Sequence, residues 1–357
     1  MLKALGVLLL VATLGAGAAA ALAWRDFEAH QAAVVVAGDA PASFTVERGW
    51  SARRVGVELE AAGLVGNARW FDLGARLDGR GAEIKAGEFA IEPGTTAGEL
   101  VGLFAAGRTV QYRHTIVEGS TFVELLGGLA RADRLETTLE LPELALARHD
   151  EADPAAIDAA RAEAGEIVMD AIGRAGEAPE GRFFADTYAY PAGTTDVQFL
   201  ARAARRLDTV LDEEWEARDP AVGLDAPEDA LTLASIVEKE TAAPAERPLI
   251  AGVFLSRLDV GMRLQTDPTV IYGIGAAYDG DIRRVHLRTD TPYNTYTRGG
   301  LPPTPIAMVG REAIRATLHP EATSALYFVS RGDGTHVFSE TLEAHEAAVR
   351  QYQLGGR

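Results

Sequence analysis

An α+β fold behind an N-terminal membrane helix is what this sequence predicts, and three observations predict it. Residues 4–24 form an uncharged apolar run of 21, residues 44–94 order as strand, helix, helix, strand, and amphipathic helical segments then alternate with short β-prone runs. The hydrophobic fraction of 47% over 357 residues is ample for a packed core. The net charge of −18 argues against nucleic acid and against docking on anionic lipid headgroups. With no cysteine there is no disulfide or thiol chemistry.

The apolar run is long enough to cross a hydrocarbon core of ~30 Å as a helix. Lys3 precedes it, and Arg25, Asp26 and Glu28 follow. Positive charge ahead of the span favours a cytoplasmic N-terminus and an exported body. A cleaved signal peptide ending at Ala21-Leu22-Ala23 is the competing reading. The run is longer than a usual signal core and ends in the interfacial residue Trp24, so a retained anchor is preferred, with residues 1–25 as N-terminus and anchor. Residues 26–42 are polar and Ala-rich and read as a stalk.

FTVERG (44–49) reads as a strand, Ser51–Ala62 as a helix, Asn67 as the cap of a helix to Leu77, and EFAIEPG (88–94) as a strand ending in a Pro-Gly turn. Thr96-x-x-Glu99 and Thr121-x-x-Glu124 have the form of capping boxes, each opening a helix. Residues 132–179 are acidic and Ala-rich and read as a peripheral helical insertion. The next block, EGRFFADTYAYPAGTT (180–195), brings Phe184 and Tyr188, whose rings offer flat faces to sugars but serve core packing more commonly. Asp267-Pro268 in RLQTDPT has the form of a helix cap with Pro at the first helical position. The amide of Asn294 and phenol of Tyr296, in YNTY, can hydrogen-bond an N-acetyl group or a hydroxyl. GGLPPTPI (299–306) reads as a rigid loop, LYFVSRGDGTHVFS (326–339) as a hairpin turning at Asp333-Gly334, and 340–353 as a last amphipathic helix.

Residues 231–244, LTLASIVEKETAAP, carry the chemistry. Leu233, Ile236 and Val237 fall on one helical face, whose next position is Glu240; Glu238 points roughly the opposite way. Pro244 forces the helix to end nearby, so Glu240 lies in the last turn, where the helix dipole and apolar surroundings both favour a protonated carboxyl. Such a group is a general acid in waiting, although Glu at a helix end is also an ordinary solvated residue. No HExxH, GxSxG or P-loop is present, the seven histidines lack metal-ligand spacing, and no metal or cofactor is expected.

The blocks SIVEKET, RLQTDPTVIYG, TPYNTYTRGGLPPTPI, HP (319–320) and LYFVS, in this order, resemble the membrane-anchored endolytic murein transglycosylases, the YceG-like family. The likeness runs from about Phe44 onward and is densest from Glu180 to Phe338. It implies a LysM-like domain at 43–112 and a catalytic domain of mixed α/β structure at 113–357. It also implies Glu240 as the catalytic acid, with Gln265, Asp267, Thr269 and Tyr272 lining the cleft beside it; Asn294, Tyr296 and Tyr188 join them as candidate substrate contacts. The implied reaction cuts the bond between N-acetylmuramic acid and N-acetylglucosamine, leaving 1,6-anhydro ends. Peptidoglycan strands are then the substrate and peptidoglycan synthases (penicillin-binding proteins) the partners. Two alternatives stay open: a two-carboxylate hydrolase using Asp267, and a non-catalytic glycan-binding scaffold.

Overall fold

The computed structural model describes residues 2–241 and 243–354, with side chains from residue 5 onward. The Lys3 side chain, Ala242 of the 231–244 stretch and the last three residues of the expected catalytic domain lie outside the described residues. The chain divides into two compact units, Met1–Tyr112 with Tyr190–Gly193, and Arg113–Ala189 with Thr194–Arg357.

In the first unit, α1 (Leu2–Ala32) is one uninterrupted helix, apolar enough from Leu5 to cross a membrane. Leu5, Leu8, Leu9 and Leu14 are exposed, as lipid-facing residues would be. The expected stalk does not hang free. The Trp70 Nε1–H donates to Asp26 at 2.9 Å, Phe27 is buried with its ring centroid 5.8 Å from that of Trp70, and Ala97 N donates to Ala33 O. The polar composition of 26–42 concealed Phe27 and Val36, two anchors spaced widely enough to look incidental.

Strand β1 (Ala42–Val46) is followed by α2 (Ala52–Ala61), α3 (Ala68–Asp78) and β2 (Gly87–Ile91). Ser51 and Asn67 cap the two helices by accepting from Arg54 N and Arg69 N. The strands pair antiparallel with Phe44 opposite Phe89. Both rings close on Phe104 of α4 (Leu100–Ala106), at centroid distances of 5.8 and 5.0 Å. Gly56 lets α2 approach α3: a Cβ there would lie 2.9 Å from Ala68 O. Glu99 bonds back to Thr96 as expected, but the helix begins only at Leu100, so that pair closes a turn rather than a capping box.

β3 (Gln111–Thr115) carries the chain into the second unit, where Thr121 and Glu124 form a complete capping box on α5 (Phe122–Leu129). Between 132 and 179 only a short strand, β4 (Leu135–Glu136), a 3-10 turn and α6 (Pro154–Ala171) are regular. α6 buries Ile157, Ala164, Val168 and Met169, so it is built into the core rather than peripheral; small Ala and Gly residues hid that face. The remaining elements are β5 (Thr187–Pro191), β6 (Thr194–Thr195), α7 (Asp196–Glu216), α8 (Pro227–Glu240), α9 (Arg247–Asp259), α10 (Asp267–Ile274), α11 (Arg284–Arg288), α12 (Arg311–Leu318), β7 (Tyr327–Ser330), β8 (His336–Ser339) and α13 (Leu342–Val349). Among the described residues strands pair two by two, so the α+β content is helices with short ribbons.

α8 is the axis of this unit. Ala230, Leu231 and Ala234 pack with Leu207, Leu211 and Ile314, while Leu233, Ile236 and Val237 pack with Ile250, Phe254 and Leu264. Every residue from Ala230 to Glu238 is buried, so α8 is a core helix rather than an amphipathic one.

Candidate functional site

Glu240 stands where α8 leaves the core, as its last residue. Thr241 turns extended directly after it (φ −138°, ψ 133°), and Ala243 N donates to the Thr241 hydroxyl at 2.9 Å. The helix therefore stops before Pro244 requires it to. Thr266 Oγ1 donates to Glu240 Oε1. Thr266 is itself held by a buried hydroxyl cluster: its N–H donates to Thr295 Oγ1 at 3.1 Å, Thr295 and Thr269 hydroxyls are 2.8 Å apart, and Thr269 Oγ1 donates to Thr266 O at 2.8 Å. Burial pushes the Glu240 carboxyl above the ordinary carboxylate range; the Thr266 hydrogen bond opposes this, the nearby Asp267 charge adds to it, and His336 and Arg257 oppose it.

Asp267 was expected to cap α10. Instead Thr266 occupies the cap position, and the exposed Asp267 carboxylate accepts from the Tyr296 hydroxyl at 2.7 Å. Gln265, also exposed, has φ +49°, a left-handed conformation that costs a non-glycine residue roughly 1–2 kcal/mol. That turn aims the Thr266 hydroxyl at Glu240. Replacing Gln265 by Gly relieves that strain and should raise stability by roughly 1 kcal/mol. Denaturant melts of the two proteins check this; an unchanged midpoint would show that the turn stores no strain.

The other predicted contacts separate from this group. Thr269 is fully buried and reaches Glu240 only through Thr266. Asn294 is 1% exposed: Nδ2 donates to His286 O and Thr289 O, and Oδ1 accepts from Tyr296 N, so it shapes the loop and has no amide left for a sugar. Tyr188 and Phe184 are core residues; the Tyr188 hydroxyl donates to Phe184 O at 2.8 Å and Arg202 lies over its ring. Tyr272 packs against the cluster of Leu233, Ile236 and Val237, and its ring meets Tyr293 edge-on at 4.8 Å.

Sequence reading passed over several neighbours. Thr266 and Thr295 lay unremarked inside quoted motifs. His336 donates its N–H to Glu246 Oε1 at 3.0 Å, and its Nδ1 lies 2.7 Å from Oε2. Arg257 ties β7 to the Gln265 turn through Leu326 O and Leu264 O, and burial holds its pKa below the ordinary arginine value. Only the folded chain brings these distant positions together.

Glu238, the rival carboxyl, faces elsewhere. Its Oε1 accepts from Arg247 Nη2 at 2.7 Å and its Oε2 from Gly310 N at 3.3 Å. Burial works to raise its pKa and the Arg247 guanidinium opposes this; at 2.7 Å we take the pair as ionised. A cavity of about 710 Å³ opens on this side, lined by Glu118, Glu238, Lys239, Thr241 and Arg247 but not by Glu240. Both oxygens of Glu238 are occupied, which leaves no proton to give.

The model of the YceG-like family matches residues 44–351. An endolytic murein transglycosylase of Bacillus subtilis is 36% identical over 173 residues, 48% of either chain. One of Streptococcus pneumoniae R6 is 26% identical over 330 residues, covering 86% of this chain and 57% of that protein. The chain thus spans about half the length of the curated relatives it matches. The crystal structure of a YceG-like protein from Listeria monocytogenes superposes with a TM-score of 0.50 at 27% identity, covering 87% of this chain and 99% of that one. With a match over most of its length around the Glu240–Thr266–Asp267–Tyr296 group, this chain is a member of the YceG-like family.

Proposed function

We propose that the protein is a membrane-anchored endolytic lytic transglycosylase of peptidoglycan, with Glu240 acting first as acid and then as base. The observation that carries this is one carboxyl, pushed toward its protonated form, at the open end of a buried helix with a single fixed donor on Oε1. With Thr266 on Oε1, Oε2 is left to give its proton to the glycosidic oxygen between N-acetylmuramic acid and N-acetylglucosamine. The C1–O bond then breaks, the muramoyl O6 closes on C1, and its proton returns to the Glu240 carboxylate. The nucleophile belongs to the same sugar and is held at high effective molarity, so no water is consumed. Tyr296, Asp267 and Gln265 border the group and are the candidate sugar contacts.

Positive charge before the α1 span supports an N-terminus inside and a catalytic body outside the cytoplasmic membrane. The βααβ unit supports a LysM-like reading, and family likeness supports termination of nascent strands beside peptidoglycan synthases. A second reading has a specific observation in its favour. Asp267 is exposed and free of capping duty, so it could serve as the second carboxylate of a hydrolase. Mass spectrometry of murein digested by the full chain separates the two: anhydro-muramoyl ends support the transglycosylase, and reducing ends with oxygen from labelled water overturn it.

A further inference from the structure

α10 joins the Glu240 group to a second cavity that the reaction above leaves unused. Its first residue, Asp267, belongs to that group, while Ile271, one turn on along the same helical face, and Tyr272 line a cavity of about 630 Å³ within the second unit. The far end of α10 lies ~10 Å from Asp267, a separation of the order of a disaccharide. Gly275 closes the helix at φ +64°, where a Cβ would lie 2.8 Å from Asp158, and this lets Ala276 N donate to Asp158 at 2.9 Å.

The walls of this cavity are amphipathic. Glu180 is 5% exposed and accepts from Phe122 N at 2.9 Å; the Tyr272 ring meets the Tyr293 ring edge-on at 4.8 Å, and the Tyr293 hydroxyl is 2.8 Å from Thr304 Oγ1. Burial pushes the Glu180 carboxyl up to about 8, so this network is uncharged at neutral pH. Among the described residues, the side chain of the half-buried Tyr278 forms no hydrogen bond or ring contact, and the Arg161 side chain, 25% exposed, lines the same cavity. Tyrosine faces beside hydroxyls, the Asp158 and Glu124 carboxylates and the Arg161 guanidinium suit a pyranose, whose hydroxyls both donate and accept and whose acetamido carbonyl accepts.

We propose that this cavity binds N-acetylated hexosamine residues of the glycan strand, about a disaccharide away from the bond that is cut, with Tyr278 and Tyr293 supplying ring faces and the exposed part of the Arg161 guanidinium meeting an acetamido oxygen. The inference rests on the proposed action on peptidoglycan. It makes the enzyme a reader of strand length, since short fragments reach Glu240 without filling the cavity.

The test uses the full chain in detergent, with peptide-free murein glycan strands and a single disaccharide as probes. In a Glu240→Gln background, Tyr278→Ala should weaken binding of long strands roughly three- to tenfold and leave disaccharide binding unchanged, while Tyr278→Phe restores it. With Glu240 intact, Tyr278→Ala should raise KM for long strands and spare kcat. Arg161→Gln, which leaves the ring faces in place, should show the same dependence on length. Unaltered long-strand binding in Tyr278→Ala and Arg161→Gln overturns the subsite, even where anhydro products show that the catalytic reading stands. Absence of anhydro products from the wild type counts against the catalytic reading alone, because strand binding is measured without turnover.

Discussion

Glu240→Gln is expected to lower the release of anhydro-muramoyl products by roughly 10³–10⁴-fold while leaving the fold intact, because in the proposed reaction one residue gives the proton at the first stage and takes one back at the second. Gln retains the oxygen that accepts from Thr266, so the thermal midpoint should stay within about 2 °C of wild type. Wild-type turnover should fall as pH rises through the Glu240 pKa. That pKa is raised by burial, so the alkaline limb lies above the range of an ordinary carboxyl. The check is product mass spectrometry with a melt of the same sample. Retained activity would place the acid elsewhere and overturn the assignment.

Glu238→Gln is expected to do the reverse. It leaves Arg247, whose side chain is 11% exposed, without its closest anion, and removing one partner of a buried pair costs about 3–5 kcal/mol. Glu118 lies 3.5 Å from the same guanidinium and recovers part of this, so a loss of about 2–3 kcal/mol is expected, or roughly 5–10 °C in thermal midpoint. Turnover per folded molecule should be retained. Replacing both partners, Glu238→Leu with Arg247→Met, should regain much of the stability, since well-packed apolar groups of similar volume often match a buried ion pair. A stable but inactive Glu238→Gln would show that Glu238 carries chemistry after all. The two variants two residues apart thus separate catalysis from architecture.

Glu180 provides a third expectation. Its carboxyl sits at about 8 in the folded protein against an ordinary 4.5, so the stability it contributes is complete below about 4.5 and is lost as pH rises through about 8. The wild-type midpoint should decline over that interval, and Glu180→Gln should flatten the decline. Parallel curves for the two proteins would show that the carboxyl is ionised and solvated.

The sequence by itself determined the local features: the 21-residue apolar run, the caps at Asn67 and Thr121, the strand-helix-helix-strand order, and a helix with Glu240 in its last turn. These depend on residues within one or two turns of each other, where spacing and side-chain type suffice. Helical phase separated Glu240 from Glu238 for the same reason, although α8 proved buried on every side. Tertiary structure decided what each motif residue does. Asn294 and Thr269 are spent on backbone and hydroxyl partners, Tyr188 on the core and Tyr272 on packing against Tyr293, while Thr266 and Tyr296 complete the group around Glu240 and Asp267. It also held residues 26–31 against Trp70 of α3 and 33–36 against residues 94–97, where composition suggested a stalk. A polar side chain's role is set by which donors and acceptors the fold brings within about 3 Å of it, and those partners lie tens to hundreds of residues away in the chain.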